Sequence, residues 1–360
     1  MKKTALAITI LLSLQTCLFA QPITDSLKKL IQQENNNSRK ADLYFQLCDI
    51  YRGTNPDSCL AYANKAIVLL KLSNDHDRIP KAELYVGIYY YIMGKPDSAL
   101  ALIQKNIPLL ETKPALQSLL AQYYSSAGLC YMKMDEKKKA LDLFYLALKT
   151  AEKSNDDLTQ LKAYVNIGWA MMELNQFEQA VGNFRKAIDL IRDKNLPETY
   201  SGVIYGNLAS SYGSLNKPDS AYKYALIAIE KAKARNDIVA QANALFILGT
   251  SQEKMGKLQD ALESFLKAKP LRQQVGDPFF IVSDQAELSQ LYSKLGKTKE
   301  GIATGLEALE TAKTNNITAK LPMIYTALAA NYEAEKDFEK AAEIYKKINE
   351  LKDSMYADAS

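Results

Sequence analysis

The chain has 360 residues, 48% of them hydrophobic and 24% charged, with a formal net charge of +4. That composition supports a continuous folded core and excludes large-scale disorder. The charge, which falls to +2 once Lys2 and Lys3 are lost with an acid-free leader, offers no basis for a nucleic-acid partner.

Residues 1–20 have the three parts of a secretory signal peptide. Lys2-Lys3 form the positive start, residues 5–14 an apolar run, and Leu18-Phe19-Ala20 the segment before the cut. The run is too short to span a bilayer comfortably. Cleavage after Ala20 is therefore expected, giving an exported, periplasmic protein. A second reading is a lipid anchor at Cys17, because Leu14-Gln15-Thr16-Cys17 sits where a bacterial lipobox would, although Thr16 fits that motif poorly. Membrane association otherwise needs a partner. Residues 21–38 are expected to form an N-terminal cap, built on an amphipathic helix over 24–34.

From residue 39 to 360 one pattern recurs about every forty residues. Eight copies lie near 41–78, 79–116, 120–157, 160–197, 201–237, 241–277, 281–317 and 321–357. In the third, Tyr124 is followed by Ala127-Gly128 and Tyr131, then by Ala140, Phe144 and Ala147. In the fourth, Tyr164 leads to Ile167-Gly168 and Met171, then to Ala180, Phe184 and Ala187. Spacings of three and four put each set on one helical face, so each copy reads as two helices. Gly87, Gly128, Gly168 and Gly249 fall mid-helix, where glycine costs about 1 kcal/mol against alanine. Close helix approach explains that cost, with Ala99, Ala140, Ala180 and Ala261 expected on the facing side. Asn55-Pro56-Asp57-Ser58, Lys95-Pro96-Asp97-Ser98 and Lys217-Pro218-Asp219-Ser220 mark the turns between paired helices, proline fitting a first helical turn.

Catalytic signatures are missing. The single histidine, His76, lies in the polar link Ser73-Asn74-Asp75-His76-Asp77, which reads as a loop rather than a metal site. No dinucleotide, phosphate-loop or CxxC motif occurs. The chain reads as a non-enzyme without cofactor or metal. Of the 22 tyrosines, those at repeat positions read as core, though their number keeps a carbohydrate- or small-ligand-binding envelope protein open as an alternative.

The repeated pattern resembles the tetratricopeptide repeat (TPR) family over residues 41–350. The family's repeat has 34 residues, so these copies are extended. Copies one, two and seven depart from it: Asn106 stands where alanine is usual, and Gly301 and Gly305 replace larger residues. The resemblance implies an all-α, right-handed superhelix of about eight helical hairpins. It implies a protein or peptide partner on the concave face, lined by first helices, at Tyr91, Leu129, Met132, Asn166, Trp169, Met172, Asn207 and Phe246. It also puts Cys48 and Cys59 in contact, which leaves two readings: a disulfide, or two small buried residues. Leader, repeats and the closing Leu351–Tyr356 segment are similar to the extracytoplasmic sensor half of Bacteroidetes TPR signalling proteins, ahead of a histidine kinase or transcriptional regulator. The last repeat lacks a polar capping helix, so a covalent extension or partner is expected there.

Overall fold

The computed structural model describes residues 23–357, all of whose regular elements are helical. Helix α1 covers residues 23–33. Eight pairs follow: α2 (Asn37–Tyr51) and α3 (Pro56–Leu72), α4 (Ile79–Ile92) and α5 (Pro96–Glu111), α6 (Gln117–Lys133) and α7 (Lys137–Lys153), α8 (Asp157–Glu173) and α9 (Phe177–Lys194). The remaining pairs are α10 (Ser201–Ser214) and α11 (Pro218–Ala234), α12 (Ile238–Lys254) and α13 (Leu258–Val275), α14 (Pro278–Lys294) and α15 (Thr298–Thr314), α16 (Leu321–Ala334) and α17 (Phe338–Ala357). The expected all-α array of eight TPR-like hairpins is what the chain adopts. It divides into two compact units, one ending at Leu174 and one beginning at Asn175. The leader, with Cys17, lies outside the described residues.

The turns explain the regular spacing. Each first helix after α2 is followed by one residue with positive φ: Gly94, Asp135, Asn175, Asn216, Gly256, Gly296 or Lys336. Gly and Asn tolerate that conformation best. The amide three residues past the helix then donates back five residues, as in Lys95 to Tyr90, Lys217 to Tyr212 and Lys297 to Tyr292, all at 2.9 Å. These bonds satisfy carbonyls that a helix end would leave orphaned. The second helix begins at once, opened by Pro56, Pro96 or Pro218 where the sequence has that signal. Asn55 adds a side-chain cap, accepting from the Ser58 amide at 3.0 Å.

Within each unit, second helices pack between the first helices on either side, and first helices also touch one another: α4 on α6 and α6 on α8, then α10 on α12 and α14 on α16. The first helices thus form one layer and the second helices another. Helix α1 lies against the first hairpin through Leu27 and Ile31, which bury around Leu47.

The glycines meet different partners from those expected. A Cβ on Gly128 would lie 2.5 Å from the Phe144 ring, and one on Gly249 2.7 Å from the Phe265 ring. On Gly87 it would meet Ile103 at 3.4 Å. The bulky residue four positions after the alanine, rather than the alanine itself, lies over the glycine. The alanines are fully buried but serve as spacing. The two glycines of copy seven have similar causes. The Asn331 amide occupies the space of a Gly301 side chain, and Leu328 that of Gly305. Asn331 is completely buried and its Nδ2 donates to the carbonyls of Ser289 and Ala327, both at 2.8 Å.

Candidate functional site

Most second helices carry a column of small or apolar residues at spacings of four, three and four, the α5 column including the polar Asn106. In α7 it is Ala140, Phe144, Ala147 and Ala151, all fully buried. In α13 the column runs Ala261, Phe265, Ala268 and then Arg272, whose side chain is only 3% exposed. Its charge is compensated from two neighbouring helices. Nε of Arg272 donates to Asp284 on α14 at 2.9 Å, and Nη1 to the Asn243 side chain on α12 at 2.8 Å. The guanidinium also lies over the Phe280 ring, 4.9 Å from its centre. Asp284 occupies a position that is apolar and fully buried in other copies, as at Ile204 and Ile324. Burial pushes its carboxyl above the usual range although Arg272 pulls the other way. The desolvation of this pair is thus only partly recovered, as expected for a buried ion pair.

Helices α12 and α14 scarcely touch, unlike α10 with α12 or α14 with α16. A pocket of about 510 Å³ opens there on the first-helix layer, lined by α10, α12, α14 and the start of α16. Its polar lining includes Arg272, Asp284, Asn243 and Glu287, with Asp237 and Lys320 as further charged groups. Val203, Val239, Phe279 and Phe280 line it too, each at least 41% exposed. Phe246 closes one wall, its ring packed 5.5 Å from that of Phe265. Burial also raises the Glu287 carboxyl, with Glu253 adding to the effect and Lys294 and Lys254 opposing it. Exposed aromatic surface around a few fixed polar groups is the usual make-up of a ligand site.

Of the residues expected on the concave face, Asn207 and Phe246 come together in this pocket. The other six belong to the first unit. Tyr91 is half-buried against the core, with the Lys133 ammonium 4.8 Å from its ring centre. Leu129, Trp169 and Met172 are half-buried. The Asn166 side chain donates to Ser125 at 3.0 Å, so it ties neighbouring first helices together. Met132 is a correction: at 8% exposure it is core and presents no binding surface. Arg272, Asp284, Asn243, Glu287 and Phe280 were missed. The signal that could have found them is a charge at a column position reserved in most other copies for small or apolar residues.

Cys48 and Cys59 face each other as buried free thiols. The Cys48 thiol donates to the Cys59 carbonyl at 3.4 Å, and the hydrogen bond with the Cys59 thiol, followed by burial, holds it well above the usual thiol range. In this structure the contact is one of two small buried residues across a helix pair. Burial also pushes Cys130 up to about 11. His76 is exposed and opens a single 3-10 turn. Among the described residues no group of His, Cys, Asp or Glu is arranged to hold a metal, and no helix is long and apolar enough to cross a membrane.

Residues 22–194 match the family model described as the SusR N-terminal TPR domain. The tetratricopeptide resemblance read from the repeats is therefore borne out. Regulatory protein RapF of Bacillus subtilis (strain 168) is 24% identical over 230 residues, covering 64% of this chain and 57% of RapF. The chain spans as little as 17% of another curated relative. A Rap protein complexed with competence and sporulation factor is similar in structure, with a TM-score of 0.61 at 14% identity over 89% of this chain and 99% of that one. Aspartyl phosphate phosphatase F from Bacillus subtilis gives a TM-score of 0.59 at 18% identity, over 96% and 92% respectively. At these identities the likeness is one of fold.

Proposed function

We propose that this chain is an exported, non-catalytic TPR module that binds a peptide segment of a partner in the groove between α12 and α14. The observation that carries the reading is the pocket itself. Exposed Val203, Val239, Phe279 and Phe280 surround a floor fixed by the Arg272–Asp284–Asn243 cross-link. Rigid aromatic anchors beside preorganised polar groups are what peptide capture requires. A similar fold in the Rap protein complexed with competence and sporulation factor supports the same reading. The non-catalytic part rests on chemistry: the one histidine is exposed in a link, and the buried Asp284 is committed to Arg272.

Export rests on the tripartite leader of residues 1–20. The match to the SusR N-terminal TPR domain favours a sensing role, in which this chain forms the periplasmic portion of a signalling assembly. A photo-crosslinking amino acid at Phe280, installed in cells and followed by envelope fractionation, tests both. The reading expects a discrete crosslinked partner in the envelope fraction, lost when Phe246 and Phe279 are replaced by alanine. Undiminished capture by that variant rejects the groove, and recovery of the chain in the cytosol rejects export.

A further inference from the structure

The charged groups of the pocket are not equally committed. Arg272 is bonded to Asp284 and Asn243. Asp237 caps α12, accepting from the Ala240 amide at 2.9 Å. The Lys320 ammonium lies 4.3 Å from the centre of the Phe279 ring. Neither Lys320 nor Glu287, among the charged groups lining the pocket, has a hydrogen bond or ion pair with the described residues; Lys320 rests on an aromatic ring, whereas the half-buried Glu287 has no such contact. The nearby cations are engaged elsewhere: Lys294 with Glu253 at 2.6 Å, and Lys254 with the Gly213 carbonyl at 2.9 Å.

A half-buried carboxylate with no cation of its own is an unfavourable arrangement that a bound cation relieves. Glu253 and Asp284 add negative potential at Glu287, opposed by Lys294 and Lys254, which are bonded elsewhere. The exposed valines and phenylalanines on either side call for apolar flanks.

From this geometry, and resting on the peptide-groove reading above, we infer that the occupant is a cationic peptide segment: a lysine or arginine between apolar residues, its charge seated on Glu287. The repeat register agrees. Glu287 stands one residue before the apolar-small pair of its copy, where Asn166 and Asn207 stand in theirs. The position that carries a neutral amide in copies four and five carries a charge in copy seven.

Selection of random heptapeptides displayed on phage against the full chain without residues 1–20 tests the inference. The expected winners carry lysine or arginine flanked by apolar residues. The best of them, made synthetically, binds about fivefold tighter than its norleucine counterpart, as a partly exposed ion pair allows. Glu287→Gln abolishes that preference for the cationic peptide over its norleucine counterpart. Glu287→Lys turns the selection toward acidic peptides. Glu287→Gln removes an unpaired charge, so its melting temperature is expected to be no lower than that of the native chain. Winners that are neutral or acidic, or a cationic preference that survives Glu287→Gln, overturn this inference and leave the peptide groove standing. No enrichment of any peptide overturns the groove reading itself, and this inference with it.

Discussion

Replacing Arg272 with methionine probes the cross-link on which the groove depends. Methionine keeps much of the aliphatic volume, so the change is chiefly electrostatic. It removes the bonds to Asp284 and Asn243 and leaves Asp284, whose side chain is 14% exposed, without its cation. Removing one member of a buried pair costs about 3–5 kcal/mol, largely because the other is left uncompensated. The lower end is appropriate here, because the Asp284 carboxyl is already raised by burial and can take up a proton instead. The expected loss is about 3 kcal/mol. The double variant Arg272→Met/Asp284→Leu removes both charges and should return to within about 1 kcal/mol of the native chain. Urea unfolding followed by far-ultraviolet circular dichroism measures all three against one baseline, with the slope checked for a single transition, as repeat arrays require. A loss below about 1 kcal/mol for Arg272→Met, or a double variant as unstable as the single, refutes the account.

Five more outcomes rest on the same structure. Gly128→Ala and Gly249→Ala force a Cβ into the rings of Phe144 and Phe265 and should destabilise by about 1–3 kcal/mol. Gly182→Ala, with nothing within 4 Å of the new carbon, should instead stabilise by several tenths of a kcal/mol or more in the same unfolding assay. Lys336 holds a φ of 64° at the end of α16, and Lys336→Asn should raise stability by up to about 1 kcal/mol. Because Glu287 has a raised pKa in the folded chain, stability is lost as pH rises from the unfolded carboxylate value, about 4.3, through the higher folded one. Glu287→Gln should therefore match the native chain under acid conditions and exceed it at neutral pH, a comparison made by thermal melts across pH. Thiol titration of the unfolded chain lacking residues 1–20, without reductant, should count all three of Cys48, Cys59 and Cys130; one reactive thiol would mean that a pair is bridged.

The sequence by itself determined the hairpin array. Its evidence was local and repeated: a helical face every three and four residues, and a turn residue, often Asn or Gly, that tolerates positive φ. These features act within some forty residues, so the order of residues suffices to read them. Asn207 and Phe246 were legible for the same reason, since inner-layer positions follow from the first-helix register. Tertiary structure alone decided the rest. Register could not tell that Met132 turns into the core. Nor could it choose between a bonded and a bridged Cys48–Cys59 contact, which depends on where each sulfur points across a helix pair. The groove was the least legible. Arg272 lies on a second helix, in a column meant for packing, and its partners are 12 and 29 residues away on two other helices. A charge in that column would by itself be a defect. It becomes a site only when Asp284 and Asn243 are brought within hydrogen-bonding distance, a matter of how three helices pack rather than of which residues each contains.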